Sequence, residues 1–199
     1  PEGGKARRAG ESHAAGRRAE AAREEARAEV PMPIALTGSR STTRLLAPLR
    51  ALVRIALAGE KFRPGDVTIV LSDDAVLRTL NRRWRGIDRA TDVLSFGYEE
   101  GPRPKGPQVH GDLVISMERM ETQAKRYRTT HGAELARLVI HGSLHLAGLD
   151  HHRPAERRRM REVEEKALRA GRVSVKALDR ALGLPAAPRA AKKRGVAAR

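Results

Sequence analysis

Apolar residues recur at helical spacing through Leu45, Leu46, Leu49, Leu52, Val53, Ala56 and Leu57, the one-sided stripe of an amphipathic helix. Pro48 suits a first turn, so this helix is expected to begin near it. Ahead of it, residues 34–36 form a short apolar stretch, read as a first strand. Residues 67–71 (VTIVL) are continuous and β-branched, the pattern of an interior strand. Ser72 or Asp73 can then cap a helix carrying Val76, Leu77, Leu80 and Trp84. Residues 92–98 (DVLSFGY) and 112–116 (DLVIS) predict two more strands, joined by a Gly/Pro-rich connection at 101–111. Met117, Met120, Ala124 and Tyr127 mark the next helix, and residues 132–147 are apolar almost all round, as in a buried central helix. Pro154 opens a last core helix with Met160, Val163, Ala167 and Leu168. The expected architecture is α+β, one domain with a mixed four-stranded sheet covered by about five helices.

Length changes this picture little, since 199 residues suit a single domain. Residues 1–30 carry almost no large apolar side chain and are expected to be a disordered extension. Met32, just ahead of the first strand, is a candidate start position. The working domain is placed at 31–170. Residues 171–199, with eight basic groups and one acidic, are read as a basic extension, partly disordered.

Charge changes the picture more. A formal net charge of +16 makes nucleic acid the first partner to consider, because phosphates attract such a surface without regard to sequence; a general preference for arginine is the plainer explanation. The absence of cysteine excludes disulfides and thiolate-ligated metals, leaving His, Asp and Glu as donors. With no secretory signal and no apolar run near the roughly 20 residues that span a bilayer, the expected location is cytoplasmic, without a membrane partner.

Three of the seven histidines fall within eleven residues, HGSLHLAGLDH, from His141 to His151. Imidazoles four apart on a helix project from one face and can chelate a single ion. Gly148 stands where the helix should end, and the reversal there returns His151, or alternatively His152, toward the same ion. Three neutral imidazoles leave a zinc's charge uncompensated and one coordination position open, the arrangement that brings bound water to a pKa of about 7. Asp150 is placed to orient a ligand ring through its second nitrogen. Burying such histidines in an apolar helix without a partner would be unfavourable, which favours a metal over solvent-facing residues.

HGSLHLAGLDH resembles the HGxLHLxGxDH signature of the YbeY endoribonuclease family at every defined position, which puts the third ligand on His151. LNRRWRGIDRATDVLSF, residues 80–96, and GDLVIS, residues 111–116, are similar to two further family blocks, in family order. The resemblance covers roughly residues 31–170. It implies one zinc per chain and single-strand-specific endoribonuclease activity in ribosomal RNA maturation and ribosome quality control. The implied partners are precursor ribosomal RNA and the small ribosomal subunit, with no DNA. The family's arginine falls on Arg85, where a guanidinium could pair bidentately with the scissile phosphate. Ala90, Gly97 and Leu149 depart from common family residues.

Two rivals follow from the same residues. A zincin protease also uses paired helical histidines, but its HExxH pattern needs a glutamate where this chain has Gly142. A ribosome-associated binding protein would hold the metal structurally, with four protein ligands and no open position.

Overall fold

The computed structural model describes residues 40–98, 106 and 108–183. Six helices and three strands run in the order α1 (Arg40–Gly59), β1 (Arg63–Ser72), α2 (Asp74–Arg85), β2 (Val93–Gly97), β3 (Gln108–Ser116), α3 (Met117–Tyr127), α4 (His131–Leu146), α5 (Pro154–Ala170) and α6 (Arg172–Leu182). The sheet order is β1-β3-β2, with β1 parallel and β2 antiparallel to the central β3. The fold is α+β and the sheet mixed, as expected. Three strands stand among the described residues; the fourth, expected at 34–36, lies outside them, as do residues 1–30, most of the 101–111 connection and the tail beyond Gly183.

Strand alternation builds two cores, because successive side chains point to opposite faces. Ile69, Leu71, Val93, Leu113 and Ile115 face the large cluster formed with α1, α4, α5 and α6. Val70, Leu94, Phe96 and Val114 face the smaller one, under Leu77, Leu80 and Trp84 of α2. At the centre of the large cluster is α4, whose Leu135, Ala136, Leu138, Val139, Ile140 and Leu144 are all fully buried. It packs against β2, β3, α1, α3, α5 and α6. Local signals set the helix starts: Asp73, Ser116 and Thr130 each accept from a backbone N–H of the first turn of α2, α3 and α4, satisfying a donor the helix leaves open.

Two features differ from the sequence reading. Pro48 lies inside α1, eight residues past its start, and is buried. Proline at that position forfeits one i→i−4 bond, but Leu45 and Leu49 beside it are 6% and 2% exposed, and burial of the continuous stripe outweighs the loss. The second difference is α6, in the stretch read as a basic extension. Leu178 is fully buried, Val175, Ala181 and Leu182 pack on the same core, and Asp179 accepts from the Gly132 N–H at the start of α4. A carboxylate there also complements the positive end of the α4 dipole. Among the described residues no helix is long and apolar enough to cross a membrane.

Candidate metal centre

His141 and His145 stand on successive turns of α4 with their Nε2 atoms 3.1 Å apart. Two nitrogens on one tetrahedral zinc, each at about 2.0–2.1 Å, would lie roughly 3.3 Å apart, so the spacing fits a shared ion. After Leu146 the chain reverses through Gly148, whose φ of 81° places it in the left-handed region. The Leu149 N–H donates to Leu144 O and the Gly148 N–H to His145 O, the paired bonds of a Schellman cap. Leu149 packs against the core, and the turn delivers His151. The His151 ring lies 5.5 Å from that of His141 and 5.1 Å from that of His145, centroid to centroid. One nitrogen from each of the three falls within 4.8 Å of the others, so the group can hold a metal ion. His152, the alternative donor, is 78% exposed, with Nε2 3.0 Å from Asp150 Oδ2.

Asp150, expected to orient a ligand ring, accepts at Oδ1 from the His151 backbone N–H at 2.7 Å, which shapes the turn, and its charge acts on His145. The carboxylate that reaches a ring is Glu164 of α5, whose Oε1 lies 2.5 Å from His141 Nδ1. A carboxylate accepts, so the ring proton sits on Nδ1 and the Nε2 lone pair faces His145. Glu164 was missed in the sequence, yet a signal existed. It lies four residues after Met160 and three before Ala167, both buried, and a carboxylate along that face needs a partner. Glu164→Gln is expected to weaken metal affinity about 10- to 100-fold in a competition titration with a chromogenic chelator. Unchanged affinity would remove Glu164 from the centre.

Burial, with His141 and His151 alongside, pushes the pKa of His145 down to about 4, which keeps it in the neutral form a metal requires. Between the first two histidines, Gly142 rests on the sheet. A Cβ there would stand 2.9 Å from Leu113 Cδ2 and 3.2 Å from Ser95 Oγ, and Ser95 Oγ donates to Gly142 O. The position that a zincin fills with its glutamate is therefore the contact point of α4 with β2 and β3.

One turn before His141, Arg137 ties three elements together. It donates to Glu134 at 2.7 and 2.9 Å, to Gln123 of α3 at 3.1 Å and to Asp92 at 3.4 Å. The Glu134 side chain is 3% exposed. Burial pushes Asp92 up, but the Gln123 amide, the Arg137 guanidinium and the Val93 N–H outweigh it and hold the carboxyl below its usual range. Arg85, the other residue singled out in the sequence, ends α2 on the opposite face of the sheet. It is exposed, and no hydrogen bond or ion pair joins it to the histidines. Beyond it, the Asn81 amide donates to Arg89 O and Arg78 pairs bidentately with Asp88, which folds the following loop back on α2.

A buried helix presenting two histidines, a capped reversal adding a third and a carboxylate behind the first define an α+β protein with a three-histidine group that could hold a metal ion. The family profile described as Endoribonuclease YbeY matches residues 38–171. The chain belongs to the YbeY endoribonuclease family. It is 42% identical over 142 residues to Endoribonuclease YbeY of Myxococcus xanthus, covering 70% of this chain and 47% of that one. The protein of the same name from Anaeromyxobacter is 45% identical over 131 residues, with 66% of each chain covered. That from Desulforamulus reducens is 40% identical over 129 residues, 62% of this chain and 84% of the other. The chain thus spans about half the length of the Myxococcus relative. A solution structure from Thermotoga maritima aligns with a TM-score of 0.46 at 26% identity, over 68% of this chain and 89% of that one.

Proposed function

We propose that the chain is a zinc-dependent, single-strand-specific endoribonuclease that acts in ribosomal RNA maturation and ribosome quality control. The observation that carries this reading is the grouping of His141, His145 and His151 in a chain of the YbeY family. These three residues would hold the ion, which when bound supplies Lewis acidity and an activated water for phosphodiester cleavage. Glu164 fixes the His141 tautomer, and the cap at Gly148 holds His151 in place. Among the described residues the group has three donors, which favours an open coordination position over the closed four-ligand site of a structural metal.

The family resemblance, rather than any contact with the histidines, assigns Arg85 the scissile phosphate, although α2 packs on the other face of the sheet from α4. The Arg85 guanidinium is exposed and uncommitted among the described residues, so its forked donors are free to pair bidentately with phosphate oxygens. Precursor ribosomal RNA is the substrate and the small ribosomal subunit the setting, and the +16 net charge suits both.

The test is metal content per chain together with cleavage of a single-stranded RNA, before and after chelation and zinc add-back. The parent is expected to hold one zinc and to lose and regain cleavage with it, while His141→Ala/His145→Ala holds none and does not cleave. Arg85→Ala is expected to keep its zinc and lose cleavage by about 100-fold or more, the range for removing one stabilising donor. Stoichiometric zinc with cleavage indifferent to it would sink the enzymatic reading in favour of a structural metal.

A further inference from the structure

An open groove of about 1180 Å³ lies between α3, α4, α5 and α6, and its lining residues Arg137 and Arg161 stand one helical turn from His141 and Glu164. Its apolar floor includes Leu168 and Val175. Two acids line it, Asp92 and Glu134, and both are bound by Arg137. The remaining charges are Arg161, Arg172 and Lys176, all exposed and with no side-chain partner among the described residues. At the rim stands Tyr127, the last residue of α3 and 59% exposed, one of few large hydrophobic side chains so exposed among the described residues. The Arg126 guanidinium lies over its ring at 5.7 Å.

Uncommitted cations around an exposed aromatic ring match the chemistry of single-stranded nucleic acid, whose backbone needs positive charge and whose unpaired bases need a π-face. A duplex offers the first need without the second, because its bases are already stacked. Position supports the same reading. Arg137 stands one turn from His141 along α4, and Arg161 one turn from Glu164 along α5, so the groove begins roughly 5 Å along the helices from the metal centre.

We infer that this groove binds a single-stranded polynucleotide, with a base stacked on Tyr127 and backbone phosphates held by Arg161, Arg172 and Lys176. The inference rests on the ribonuclease reading for what happens to the strand, but the binding itself does not require cleavage. The groove holds the strand flanking the cut, and Tyr127 selects for unpaired bases.

The test measures fluorescence anisotropy of a 2′-O-methyl oligoribonucleotide, which binds without being cut, on the full chain across a salt series. Tyr127→Ala is expected to weaken binding about 5- to 100-fold, the range for loss of one stacked base, and Tyr127→Phe to restore it. Arg161→Gln/Lys176→Gln should flatten the dependence of log affinity on log salt by about 0.7 for each contact removed. Because the probe is not cut, its binding to the full chain reports on the groove whether or not the chain cleaves RNA, which separates failure of the groove from failure of the catalytic reading. Equal affinity for a blunt duplex, unchanged binding in Tyr127→Ala and the charge variant, or equal binding of a polyglutamate peptide would each overturn the inference.

Discussion

Arg137→Ala is expected to lower the unfolding free energy by about 3–5 kcal/mol, the usual cost of removing one partner from a buried ion pair. The size follows from what stays behind. The Glu134 side chain is 3% exposed and takes its two side-chain bonds from Arg137, and Asp92 loses a cation. The effect also has a pH signature. The Asp92 carboxyl is held below its usual range in the folded protein. Its contribution is therefore complete above the unfolded value of about 3.9 and is lost as pH falls through the folded value. Removing Arg137 takes away one of the groups that depress it, so acid unfolding should begin at higher pH in the variant. Urea titrations at pH 7 and across the acid limb read both effects. A midpoint shift worth under about 0.5 kcal/mol, the scale of an ordinary surface substitution, would show that the network does not stabilise the fold.

A larger effect is expected from Gly142→Glu, the substitution that writes the zincin HExxH pattern into α4. It should abolish the native fold, at a cost above about 4 kcal/mol, and give no protease. The added Cβ alone meets Leu113 at 2.9 Å and Val93 and Ser95 at 3.2 Å, and a carboxylate would be pressed into a buried helix–sheet contact. Gly142→Ala is the graded control. Overpacking of about 1–3 kcal/mol is partly offset by alanine's helix propensity, worth about 1 kcal/mol, so that variant should fold with a lower midpoint. Far-ultraviolet circular dichroism and thermal melts separate the two, and a stably folded Gly142→Glu protein would show that α4 can lift from the sheet.

The three histidines were legible because their grouping is local: two on one helical face and a third just past a helix-ending glycine, all within eleven residues. Glu164 was not, because its link to His141 crosses 23 positions and two helices, and only the packing of α4 on α5 creates it. Asp150 attracted the orienting role by adjacency, and its Oδ1 accepts from the His151 backbone N–H. Helix α6 was hidden by composition. Arg172, Lys176 and Arg180 gave it the look of a tail, while the single deeply buried Leu178 and the Asp179 cap that hold it depend on where α1 and α4 lie. Pro48 was misplaced for the opposite reason, since a strong local rule was followed where burial decided the matter.

The order of the sheet also bears on how the chain folds. β3 is central in space but last in sequence, so neither β1 nor β2 has a neighbour among the described strands until it is made. The pairing of β2 with β3 brings together residues such as Val93 and Ile115, whereas β1 must span 44 positions to set Ser72 beside Ser116. Closing the shorter loop costs less chain entropy, so the β2–β3 hairpin is the natural nucleus and β1 joins it later. On a chain still being synthesised, the apolar β1 waits for that whole interval without a partner among the described strands, which leaves it exposed to wrong association before it joins β3.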